Sequence, residues 1–132
     1  MKRALLVGGT GASGPHIARG LLDRGFEVTR FHTGRHEPEE SLPVERLHGD
    51  PFSAEGIGQA ISRREFDIVI ATYGRIKLLA RAVAGRVGQF LSVGGTLAYQ
   101  GYISPAKSFP SGLPIGTRED FPMVPPDAMS ES

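Results

Sequence analysis

The chain has 132 residues, 39% hydrophobic and 22% charged, with 15 basic against 14 acidic side chains and a formal charge of +1. That is the size and balance of one ordinary globular domain, and so even a charge gives nucleic acid or an anionic membrane no electrostatic hold. The lack of cysteine excludes disulfides, thiolate nucleophiles and cysteine-ligated metals and accords with a reducing, cytoplasmic setting, while no stretch approaches the roughly 18 apolar residues of a membrane span or the core of a signal peptide.

Residues 4–7 are a short unbroken apolar run, as expected of a parallel strand covered on both faces. They lead straight into Gly8, Gly9, Thr10, Gly11, Ala12, Ser13 and Gly14. This turn satisfies GxGxxG through Gly9, Gly11 and Gly14, and GxxGxxG through Gly8, Gly11 and Gly14. In such turns one glycine permits the bend, one lets backbone approach a pyrophosphate, and one lets the next helix pack closely on the strand. The phosphates then sit on the free amides of a helix N-terminus. A phosphate loop of the kinase or GTPase type is excluded, because Pro15 and His16 stand where Lys and Ser or Thr would contact phosphate and magnesium.

Pro15 suits a first helical turn, Ile17, Ala18, Leu21 and Leu22 form one apolar stripe, and Gly25 ends the helix. A second strand is expected over residues 26–31, a polar loop over 32–43, and a weak third strand over 44–48. Ser53 caps a short helix carrying Ile57, Ala60 and Ile61, which Gly56 and Gly58 weaken. Residues 67–71 read as strand four, 75–86 as a helix with Leu78, Leu79, Ala82 and Val83 inward, and 89–93 as strand five. Alternation at this spacing predicts an α/β fold, a Rossmann-like parallel sheet of about five strands with helices on both faces, over residues 1–100. Residues 101–132 hold six of the ten prolines and read as a proline-rich loop or tail. If strand five is a sheet edge, its free backbone recruits cover from that tail or from a second copy of the chain.

Over residues 1–100 the chain resembles the extended short-chain dehydrogenase/reductase superfamily, the NAD-dependent epimerase/dehydratase group, with Val7 where threonine is common in the first turn. The resemblance implies an NAD(P)-binding domain. Ala12 and Ser13 would offer amides, and Thr10 and Ser13 hydroxyls, to the pyrophosphate. At the end of strand two, where an Asp or Glu would hold the ribose of NAD, the sequence has His32, then Thr33, Gly34 and Arg35. Arg35, helped by Arg30 or His36, would attract a 2'-phosphate, which favours NADP over NAD. Asp50 stands where the group bonds the adenine amino group, with Phe52 nearby, although an Asp before Pro51 is also an ordinary turn initiator. Ala71, Thr72 and Tyr73 leave strand four where the ribose and nicotinamide pass.

Ser92 and Thr96 are the candidates for a catalytic hydroxyl. The group's TyrxxxLys pair needs both side chains on one helical face. Tyr73 and Lys77 have that spacing, but they follow strand four rather than strand five, whereas Tyr99 and Tyr102 have no partner lysine. The resemblance places the pair beyond Ser132, so the chain is expected to be the cofactor-binding part of a longer reductase, epimerase or dehydratase acting on a nucleotide sugar or similar small carbonyl substrate. A non-catalytic dinucleotide-binding protein is the alternative, and FAD or S-adenosylmethionine on a similar fold a third. His16, His32, His36 and His48 show no metal-ligand spacing and are assigned no metal, and Glu37, Glu39 and Glu40 read as a solvated acidic turn.

Overall fold

The computed structural model describes residues 1–94, 118–120 and 122–123. The chain divides into two compact units, Met1–Val93 and Gly94–Ser132. In the second, Arg118 Nε donates to Asp120 Oδ1 at 3.0 Å. Thr96, Tyr99, Tyr102 and most of the proline-rich segment lie outside the described residues.

In the first unit β1 (Lys2–Val7), α1 (Gly14–Leu22), β2 (Phe26–His32), β3 (Glu45–His48), α2 (Ala54–Ile61), β4 (Phe66–Ala71), α3 (Ile76–Val83) and β5 (Val87–Ser92) follow one another. The strands form one parallel sheet in the order β3-β2-β1-β4-β5, with β1 pairing β2 on one side and β4 on the other. Chain direction across the sheet therefore reverses between β1 and β4, and this switch point is where open α/β sheets leave a crevice beyond their strand ends.

Burial follows the apolar runs. Ala4, Leu5, Leu6 and Val7 are fully buried, as a central strand covered on both faces requires. Ala4 packs with Leu21 of α1 and Val28 of β2. Leu5 and Val7 face the other layer, where Ile57 and Ile61 of α2 meet Leu79 and Val83 of α3. Each such large side chain withdrawn from water contributes about 1.5–3 kcal/mol before chain entropy is set against it. The sheet is least covered at β5, where Leu91 is exposed and only Val87 and Phe90 are half-buried.

Two elements differ from expectation in informative ways. α3 stops at Val83 rather than near residue 86, because Ala84 leaves the helical region and Gly85 turns at φ +71°. α2 forms despite its glycines. Ser53 Oγ accepts from the Gly56 amide at 2.9 Å, and a Cβ on Gly56 would stand 2.4 Å from the Asp50 carbonyl oxygen. Gly56 thus costs helix propensity but lets the helix start beneath the β3–α2 turn.

At the other end of the sheet Glu45 joins three elements, accepting from Thr29 Oγ1 at 3.0 Å and from Arg64 NH1 at 2.6 Å. The Arg64 hydrogen bond holds the Glu45 carboxyl below its ordinary value of 4.5, against a smaller opposing effect of burial. A carboxylate whose pKa is lowered by folding adds stability above its unfolded pKa and loses it as pH falls through the folded value. Glu45→Gln is expected to cost less than about 1 kcal/mol at pH 7, since the pair is half-exposed. In denaturant titrations at stepped pH, the gap between wild type and variant should close as pH falls below 4.5.

Candidate functional site

The link from β1 to α1 is set by backbone contacts. Gly8 and Gly9 turn at φ +83° and +70°, a region side chains avoid, and the Gly8 amide donates to the Phe31 carbonyl of β2 at 2.8 Å. A Cβ on Gly14 would stand 1.8 Å from the Gly9 carbonyl oxygen, so α1 begins in direct backbone contact with the turn. Gly11 has nothing within 4 Å of where its Cβ would be. It borders open space.

The amides of Thr10, Gly11, Ala12 and Ser13 find no acceptor among the described residues. Ser13, the N-cap of α1, makes no side-chain capping bond, and Pro15 has no N–H to give. Unsatisfied donors at the positive end of a helix dipole are a ready anion site.

β4 supplies the opposite wall. Thr72 Oγ1 donates to the Val7 carbonyl at 3.0 Å and accepts from the Gly9 amide at 3.0 Å, tying the end of β4 to the glycine turn. Tyr73 follows, half-exposed, its ring edge-on to that of Phe52 with centroids 4.9 Å apart.

Between these walls lies a cavity of about 380 Å³. The glycine turn lines one side through Gly8, Thr10, Gly11 and Ser13, and Thr72 and Tyr73 line another. His32, Thr33, Arg35 and His36 close the end at β2. A larger hollow of about 450 Å³ touches Phe26, Glu45 and Arg64, but it lies at the starting ends of the strands and holds the Glu45–Arg64 pair. The crevice over the strand ends carries the unpaired donors.

The remaining sequence-predicted residues lie elsewhere. Gly14 is buried behind the turn and Ala12 is exposed on it. Asp50 Oδ1 accepts from the Phe52 amide at 2.8 Å, the turn-initiating bond of an Asp before Pro. Ala71 is fully buried, its carbonyl accepting from the Val93 amide at 2.8 Å. Ser92 is exposed on β5 opposite Ala71. Thr96 is outside the described residues.

The acidic loop is not simply solvated. Arg30 is fully buried on β2 and forms an ion pair with Glu40, a charge contact in which neither side makes a well-aligned hydrogen bond. Arg30 is therefore committed to Glu40 and is no help to a ligand phosphate. Glu37 Oε1 meets His48 Nε2 at 2.7 Å, and its Oε2 lies 3.3 Å from Arg46 NH1. The histidines, scattered in sequence, also come together, because the parallel register sets His32 opposite His48. His32 Nδ1 accepts from the Gly34 amide at 3.1 Å, leaving Nε2 buried without a hydrogen-bond partner. Burial lowers the His32 pKa below 6.5, partly opposed by Glu37. The strand-end alignment of two histidines was the signal available in the sequence; the loop glutamates had none.

No protein-family model matches the sequence, and comparison with curated proteins finds no match. Solved structures do resemble it. The Bordetella bronchiseptica enzyme WbmH, determined in complex with NAD+, superposes with a TM-score of 0.69 at 21% identity, over 96% of this chain and 47% of that one. The UDP-Glc/GlcNAc 4-epimerase of Campylobacter jejuni gives a TM-score of 0.69 at 15% identity, over 95% and 44%. UDP-glucose 4-epimerase from Bifidobacterium longum, in complex with NAD+ and UDP, gives 0.61 at 18% identity, over 76% and 39%. The chain thus has the Rossmann-like fold of these proteins, and it spans less than half the length of each.

If Gly14 serves packing and Gly11 serves ligand approach, their alanine variants must differ. Gly14→Ala is expected to lower stability by at least about 2 kcal/mol, since it overpacks backbone against backbone. Gly11→Ala should stay within about 1 kcal/mol of wild type. Thermal or urea unfolding of the two variants checks this, and equal losses would contradict it.

Proposed function

We propose that residues 1–100 bind a nicotinamide dinucleotide as the cofactor-binding domain of a short-chain dehydrogenase/reductase of the epimerase/dehydratase group. The observation that carries this reading is the run of amides from Thr10 to Ser13, without acceptors among the described residues, in a turn that lines a cavity at the switch point of a parallel sheet. Gly11, clear of neighbours, leaves room for a pyrophosphate against that backbone. Ser13 and Thr10 add hydroxyls, and Tyr73 and Thr72 border the path toward the nicotinamide. Asp50 and Phe52 are proposed for the adenine end, although the Asp50 carboxylate also serves its own turn.

The cofactor would supply hydride transfer to a small carbonyl substrate such as a nucleotide sugar. Support comes from the structural likeness to epimerases, one of them solved with NAD+ and UDP. Ser92 and Thr96 are the proposed hydroxyls near the reacting carbonyl, and β5, an outermost strand among the described residues, is proposed as the site of pairing with a second copy. The non-catalytic alternative draws on Tyr73 and Lys77, which have the TyrxxxLys spacing only beside β4.

NADP is the proposed form. Among the described residues no carboxylate side chain lines the cavity at the end of β2, and Arg35 and His36 do. A hydrogen bond from a charged group to phosphate is worth about 1.5–3 kcal/mol, or roughly tenfold or more in affinity. Calorimetric titration should give NADPH at least about tenfold tighter binding than NADH, and Arg35→Glu should abolish the difference. Equal affinity for both removes the NADP assignment, and failure of both to bind removes the cofactor-binding function itself.

A further inference from the structure

The cluster at the ends of β2 and β3 shares His32 with the rim of the cofactor cavity and adds a donor set that dinucleotide binding does not use. His32 and His48 stand opposite each other in register, their rings edge-on with centroids 4.8 Å apart. Glu37 reaches both from the intervening loop, and one donor atom from each of the three residues lies within 4.8 Å of the other two. The His32 side chain is only 4% exposed, and its Nε2 lies 3.8 Å from Glu37 Oε1, beyond hydrogen-bond range. With no other partner among the described residues, that nitrogen is a buried polar atom left unsatisfied, which folded proteins rarely tolerate without a water or an ion.

Two imidazole nitrogens and one carboxylate oxygen form a donor set suited to zinc, with the fourth tetrahedral position left to water. Magnesium and calcium, which take oxygen ligands, are poorly served by it. We propose that His32, Glu37 and His48 form a binding site for a divalent transition-metal ion of the zinc class, fastening the loop after β2 to the ends of β2 and β3. Ligand atoms around tetrahedral zinc are about 3.4 Å apart, so His48 and Glu37 separate slightly while His32 draws closer. His48 exchanges its Nε2 hydrogen bond to Glu37 Oε1 for the metal bond, its ring proton moving to Nδ1. His32 must carry its remaining proton on Nδ1, so the Gly34 N–H bond is exchanged for the metal bond. Arg46 remains on the outer carboxylate oxygen, where a second-sphere donor orients the ligand, and the charge of Arg30 is already compensated by Glu40.

The proposal does not depend on the cofactor reading and can fail separately from it. The full chain, stripped with chelator, is titrated with zinc chloride in a calorimeter, and cobalt(II) is used in parallel for its visible spectrum. One ion per chain is expected, with the intense cobalt bands of four-coordinate geometry. Glu37→Gln and His48→Ala change exposed side chains and should leave the far-ultraviolet circular dichroism unchanged. Each should weaken binding by at least about tenfold. His16→Ala, on the exposed surface of α1, should leave it unchanged. Absence of stoichiometric binding overturns the site, and so does binding that survives both cluster variants or is lost in His16→Ala.

Discussion

Gly14 resting on the backbone of Gly9 is the contact on which the arrangement of the site depends. With 1.8 Å between the place of a Cβ and the Gly9 carbonyl oxygen, no side chain fits, and α1 starts closer to the end of β1 than any other residue would allow. The turn held by that contact carries the amides of Thr10 to Ser13, which have no acceptor among the described residues. The same closeness sets α1 near enough to the sheet for Leu21 to reach Ala4 and Val28. Packing of the helix and placement of the donor-bearing turn therefore rest on one steric fact.

The same turn is held from both flanking strands. The Gly8 amide is fixed to Phe31 of β2, and Thr72 of β4 bonds both Val7 and Gly9. A site whose donors belong to backbone anchored on three adjacent strands loses little entropy when a ligand arrives, because the groups are already in place. Selectivity is left to side chains at the margin. Arg35 and His36 belong to the loop after β2, which is fastened separately through Glu37 and Glu40.

Much of this was legible in residue order. The unbroken run at residues 4–7 marked the central strand, the glycine spacing marked the turn, Ser53 marked a cap that does accept the Gly56 amide, and Leu79 and Val83 were placed inward where they are buried. These signals are local: periodicity, backbone freedom, capping. The pairings of Arg30 with Glu40 and of His48 with Glu37 left no such trace. Glu37, Glu39 and Glu40 resemble any exposed acidic turn until strand register decides which of them meets a cation. Whether the β2 end would be bare of carboxylate was readable; that Arg30 would be enclosed there was not, since an arginine within an apolar strand reads equally as an outward residue.

The Arg30–Glu40 pair bears on how this region can change over time. Surface loops ordinarily accept insertions and deletions, because their closure entropy grows slowly with length. Here Glu40 must reach a guanidinium sealed inside the first unit, and Glu37 must reach His48 and Arg46 at the sheet's end. A residue gained or lost between His32 and Glu40 would strand a buried charge, which is among the costlier defects a fold can carry. Length variation in related chains should therefore gather after Glu40, and substitution rather than insertion is the route by which the loop's ligand preference can drift.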